Sequence, residues 1–158
     1  MSKKFYFLLL FFALVCISWI IGWQIFKTMM PGTLPQGTVT IRDITFQVDI
    51  AATPESMEQG LSGRAALKKR QGMYFVYPSV RYVRFWMKEM KFPLDIIWVK
   101  NHQIVGYAAD ISPPPPNTPL PLLKRYPSPQ PVDSVLEVLA GTVAKDQFHV
   151  GDSVRFQP

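Results

Sequence analysis

The sequence predicts a mostly β fold: a compact antiparallel β-sandwich or barrel with one or two short helices, preceded by a single N-terminal transmembrane helix. Three observations predict it. Short runs of alternating apolar and polar residues recur between turn signals at intervals of about 8–12 residues. Helix-start chemistry occurs at only two places. The first 27 of the 158 residues hold one long uncharged apolar run.

That run, "FYFLLLFFALVCISWIIGWQIF", lies between Lys4 and Lys27. In a helix its ~22 residues span roughly the ~30 Å hydrocarbon thickness of a bilayer. Trp19 and Trp23 suit an interfacial aromatic belt. A cleaved signal peptide would have a shorter apolar region ending in a small-x-small site, and no such site stands out. A buried core helix would be striped rather than apolar all round. Residues 1–27 therefore read as an uncleaved signal anchor. Cys16, the one cysteine, has Val15 before it rather than a small residue, so it reads as lipid-facing and not as a lipidation site. Lys3 and Lys4 precede the span and Lys27 alone follows closely, so the positive-inside bias places the N-terminus in the cytoplasm and the domain in the periplasm or outside the cell.

Residues 28–38, "TMMPGTLPQGT", form a Pro/Gly linker, and residues 39–158 form one domain. "TVTIRDITFQVDIA" places Val39, Ile41, Ile44, Phe46, Val48 and Ile50 on one face of a hairpin bent at Arg42-Asp43. In "TPESMEQG", Thr53 can cap a helix, Pro54 fits its first turn and Glu55 suits its positive end. Strands are expected at 72–78, 81–88, 93–100 and 103–110, with a tight bend at Asn101-His102. Residues 111–131 carry "SPPPPNTPLPLLKRYPSPQP", whose prolines deny it the hydrogen bonds of a strand. It reads as a rigid arm anchored by Leu120, Leu122, Leu123 and Tyr126. "VDSVLEVLAG" leans to strand. "TVAKDQFHVGDSVRF" suggests a short helix capped by Thr142, a Gly151-Asp152 turn and a final strand.

Charge excludes little. Setting Lys3, Lys4 and Lys27 aside from the 17 basic side chains leaves 14 against 11 acidic ones. So mild an excess, on a domain facing outward, makes "KKR" at 68–70 a solvated loop and no nucleic-acid partner is expected. His102 and His149 have no ligand-spaced companions, so neither a metal nor another cofactor is expected. "GLSGR" lacks the last glycine of a nucleophile elbow.

The order "TPESMEQGLSGR", "GMYFVYP", "FWMKEMKFPLDIIWV", "IVGYAADISP", "VLEVLAG", "GDSVRF" resembles the bacterial and archaeal family called domain of unknown function 192, over roughly residues 39–157. The resemblance implies a compact β-rich domain, and it implies no activity. Ser62 stands where methionine is frequent, and Glu89 where asparagine often follows Trp-Met-Lys. A ligand role of that asparagine would therefore not carry over to Glu89.

The signature stretch mixes core and charge. Read as a hairpin, residues 82–88 place Val83, Phe85 and Met87 in the core and leave Tyr82, Arg84, Trp86 and Lys88 on the other face. One reading pairs Lys88 with Asp95 across the bend and stacks Arg84 on Trp86. A second makes that face a pocket floor, with Trp86 as stacking plane and Arg84, Lys88 and Asp95 holding polar groups of a small molecule or glycan. A catalytic reading requires Asp95 with Lys88 or Glu89. Arg64, after a glycine bend, holds a carboxylate such as Asp95 or grips an anion. Asp110 is a turn cap or lines a pocket under the arm, and Tyr126 is an anchor or a ligand contact. The ligand-binding candidates are thus Arg64, Arg84, Trp86, Lys88, Asp95, Asp110 and Tyr126. The leading expectation is a non-catalytic, membrane-anchored module binding a small molecule or envelope glycan. An envelope enzyme and a structural domain binding a protein partner through the arm are the alternatives.

Overall fold

The computed structural model describes residues 16–18 and 33–158, and the chain divides into two units, residues 1–33 and 34–158. The predicted anchor lies outside the described residues apart from residues 16–18, which are helical and exposed. No helix of the described residues is long and apolar enough to cross a membrane.

The second unit is mostly β. Its strands are β1 (Gln36–Ile41), β2 (Ile44–Ala51), β3 (Gln71–Arg81), β4 (Arg84–Phe85), β5 (Leu94–Lys100), β6 (Gln103–Ile111), β7 (Tyr126–Pro127), β8 (Val132–Leu139) and β9 (Val154–Gln157). Two short helices interrupt them, α1 (Pro54–Gln59) and α2 (Thr142–Lys145). Seven strands form one sheet in the order β6-β5-β8-β3-β2-β1-β9, and β4 pairs with β7 apart from it.

The sheet is not wholly antiparallel as expected: β2 and β3 run parallel. The cause is local. The α1 crossover carries the chain back across the sheet before β3 begins, which a tight hairpin could not do. Nor is it a two-sheet sandwich. Register breaks between β5 and β6 and between β3 and β8 bend the strands, and bulges of this kind curl a sheet. The result is a half-barrel. At one end the two edges meet: Ile104 donates to Asp152 O at 3.0 Å, Gly151 to Ile104 O at 2.8 Å and Val154 to His102 O at 2.8 Å.

Both faces of the curled sheet are covered. Val39, Ile41, Phe46, Val48, Ile97, Leu136, Phe148 and Val154 fill one core; Met73, Phe75, Phe85, Met87, Ile96, Trp98 and Val135 fill the other. Alternate residues of β5 and β8 serve alternate cores, so Leu94–Val99 is buried without a break. Strands covered on both faces read as continuous apolar runs for this reason.

The local signals hold. Arg42 turns the first hairpin at φ 55°, with Ile41 opposite Ile44. Asn101 and His102, at φ 48° and 61°, make the second two-residue turn. Thr53 Oγ1 accepts from Ser56 N at 3.2 Å while Ser56 Oγ accepts from Thr53 N at 3.0 Å, and Gly60 at φ 50° ends the helix.

Three elements differ from expectation. The strand predicted over 81–88 shrinks to Arg84–Phe85, paired with Tyr126–Pro127, and Ser128 continues that register: its N–H donates to Val83 O at 2.9 Å and its hydroxyl accepts from Val83 N at 3.2 Å. Residues 82–100 are therefore not a hairpin; β4 pairs with β7, and β5 with β6 and β8. In the arm, Leu123 and Tyr126 pack inward, but Leu120 and Leu122 are exposed, Leu122 at 74%. Pro129 supplies another hold, seated against Gly106, where a Cβ would fall 2.8 Å from its ring. Finally, Thr142 does not cap α2; its hydroxyl donates to Leu139 O at 2.6 Å.

Candidate functional site

The cap of α2 is Asp95. This carboxylate is completely buried in β5, and no cation among the described residues lies within salt-bridge distance of it. Its Oδ1 accepts from Asp110 N at 2.8 Å and from Gly141 N at 3.2 Å, and its Oδ2 accepts from Val143 N at 2.8 Å. Backbone donors thus replace the lysine that the sequence proposes. Asp110 and Gly141 both adopt positive φ, 54° and 79°, which turns their N–H groups toward the carboxylate. Asp95 is a structural anchor joining β5, β6 and α2. Asp110 takes part through its backbone, and its side chain is exposed.

Lys88 does not reach Asp95. Its Nζ lies 3.9 Å from Glu89 Oε1, an exposed pair worth at most about 1 kcal/mol. The backbone here is held by the loop after α1: Ser62 Oγ donates to Lys88 O at 2.8 Å, and Gly63 N to Glu89 O at 3.1 Å. Glu89 sits at φ 55°, a left-handed conformation that asparagine accepts more readily than glutamate. The asparagine expected from the resemblance therefore has a backbone explanation. Glu89→Asn should raise stability by about 0.5–1 kcal/mol, read as a higher urea midpoint at unchanged slope; a lower midpoint would refute this account.

Arg64 pairs with Asp49 at 2.6 Å rather than with Asp95. The predicted Arg84–Trp86 stack is replaced by Arg125, whose guanidinium carbon lies 3.8 Å from the Trp86 ring centre. Tyr126 is half-buried beside Phe85, with Lys124 Nζ 5.1 Å from its ring centre, and burial raises its hydroxyl pKa. Of the seven predicted residues, Arg84 and Trp86 share a cleft. Arg64, Lys88, Asp95, Asp110 and Tyr126 do not line it.

That cleft, about 360 Å³, opens between α1 with its following loop, β3, β4 and β8. Phe75, Tyr77, Phe85, Trp86, Met57 and Met90 give it aromatic and thioether walls. Its volume falls in the ordinary range for small-molecule sites. On β8, Glu137 lines it and is only 5% exposed. No described residue donates a hydrogen bond to its carboxyl. Burial pushes the Glu137 pKa up to about 8, opposed by the positive charge of Arg64. Tyr77 rises to about 12, from burial first and from Glu137 second, so its hydroxyl stays a neutral donor.

Sequence reasoning missed Glu137 and Tyr77. The available signal was a single glutamate inside "VDSVLEVL", a strand otherwise buried on both faces. No group of three or more His, Cys, Asp or Glu side chains among the described residues is placed to hold a metal ion.

A curled β sheet with both faces covered and a cleft beside α1 defines a small β-rich half-barrel domain. The matching family model is DUF192, described as uncharacterized ACR, and it covers residues 37–156. The chain belongs to this family. Two solved structures share the fold. A protein of Sinorhizobium meliloti 1021, named as a candidate transcription regulator, is 27% identical with a TM-score of 0.71, covering 78% of this chain and 95% of its own. A protein of unknown function from Novosphingobium aromaticivorans DSM 12444 is also 27% identical, with a TM-score of 0.72 and coverage of 80% and 89%. Among curated proteins no match is found.

Proposed function

We propose that the domain is a non-catalytic binding module whose cleft takes a small molecule. One observation carries this reading: Glu137 is almost wholly buried in β8, yet its carboxyl opens on the cleft without a donor from the described residues. Burial disfavours its ionised form, and a donor on a ligand entering the cleft would offset that cost. Trp86 offers an apolar plane, and the neutral Tyr77 hydroxyl a second polar contact. The envelope placement rests on the N-terminal apolar run and its flanking lysines. Catalysis through Asp95 is disfavoured by geometry, because no substrate reaches a fully buried carboxylate already holding three N–H groups.

The test is binding to the full-length protein, measured by saturation-transfer NMR with monosaccharides, amino acids and small aromatic amines. At least one class should bind, and Trp86→Ala and Glu137→Gln should each weaken it while circular dichroism shows the fold intact. Binding that survives both substitutions, or no binding by any class, would overturn the reading.

A further inference from the structure

Resting on that reading, we infer that the ligand is a small zwitterion, an α-amino acid or close relative, with its ammonium on Glu137 and its carboxylate on Arg84. Both side chains line the same cleft, and neither has an ionic or hydrogen-bonding partner among the described residues. Glu137 lies buried in the middle of β8, while Arg84 is exposed on β4. They do not pair with each other, since no Arg84–carboxylate contact falls within salt-bridge distance. The cleft therefore presents one cation, Arg84, and two carboxyls, the buried Glu137 and the exposed Glu58 at its rim.

The charge balance selects among ligands. A simple anion entering far enough to use Arg84 would also meet Glu137 and Glu58. A simple cation would satisfy Glu137 but leave Arg84 unanswered, with Arg64 adding a further positive charge within electrostatic reach. A sugar would satisfy neither as a charge. A zwitterion answers both, and the walls of Phe75, Tyr77, Trp86 and Met90 suit an apolar side chain, which also gains from ammonium contact with aromatic faces.

The proposal has a pH signature. Binding an ammonium requires the ionised carboxyl, and the charged or titratable groups around Glu137 are Tyr77, Arg64, Arg84 and Glu58. Affinity should rise toward pH 8 as Glu137 loses its proton, with a proton released on binding below that pH.

The experiment compares phenylalanine, phenethylamine, 3-phenylpropionate and glucose by titration calorimetry on the full-length protein at pH 8.5. Phenylalanine should bind about tenfold or more tighter than either half-molecule, a difference of about 1.4 kcal/mol. Glu137→Gln should abolish the advantage of phenylalanine over 3-phenylpropionate; Arg84→Gln should abolish its advantage over phenethylamine. Equal affinity for phenylalanine and 3-phenylpropionate, or glucose binding in its place, would sink the zwitterion and leave the binding module standing. No binding by any of the four overturns the zwitterion, and extension to the wider probe classes then decides the module itself.

Discussion

Asp95→Ala should destabilise the domain by about 4 kcal/mol, among the largest effects expected for a single substitution. Three buried or half-buried N–H groups lose a charged acceptor, and each orphaned donor costs about 1–3 kcal/mol. Asp95→Asn keeps the shape but turns an amide N–H₂ against at least one of those donors, so it should cost about 2–3 kcal/mol. The measurement is urea unfolding followed by tryptophan fluorescence, with the slope unchanged if only the folded state is altered. The damage should be local in origin: hydrogen exchange at Asp110, Gly141 and Val143 should accelerate before that of β3. A loss below 1 kcal/mol would mean that water replaces the carboxylate readily, and that α2 is not held by it.

Glu137→Gln is expected to act in the opposite direction. A carboxyl whose pKa rises from 4.5 to about 8 on folding is bound to its proton more tightly in the folded state. The folded protein is therefore favoured fully below pH 4.5, and that advantage is lost progressively as pH rises to about 8. Over that interval the linkage amounts to roughly 4–5 kcal/mol, at about 1.4 kcal/mol per pH unit. Glutamine removes the charge but still buries an amide, so the variant should gain about 2–4 kcal/mol at pH 9 and little at pH 4. Unfolding free energies at pH 4, 6, 8 and 9 decide it. If wild type and variant show the same pH dependence, Glu137 is not the group that titrates. A stabilising substitution that removes binding is the pattern expected where a site keeps a group that the fold alone would discard.

The two acidic residues also show how far sequence reading reaches. What depends on neighbours in the chain was legible. The turns at Arg42-Asp43 and Asn101-His102 and the capped start of α1 need only local chemistry. The alternation of Val83, Phe85 and Met87 against Arg84, Trp86 and Lys88 survives as buried against more exposed, even though only two of these residues lie in a strand. What depends on distant chain was not legible. Asp95 stood out as a charge in an apolar run, but its partners Gly141 and Val143 lie 46 and 48 residues away, and no spacing rule points to them. Backbone donors carry no side-chain signature at all. Arg125 on Trp86 and Asp49 on Arg64 were hidden for the same reason: either cation had several plausible partners nearby in sequence. Glu137 went unnoticed because "VDSVLEVL" was judged by its apolar majority, and the exception within it was the informative residue.

The stitching of His102 and Ile104 to residues 151–154 has a consequence for how the molecule behaves among its own copies. An open seven-stranded sheet has two rims of unsatisfied backbone, each a template on which another chain can grow. Here the rims are turned toward one another, and at one end each occupies the other. The short terminal strand β9, four residues long, leaves little further template beside it. Residues 151–154 thereby guard this end of the sheet against strand addition, and Val154 does so while also filling one of the two cores.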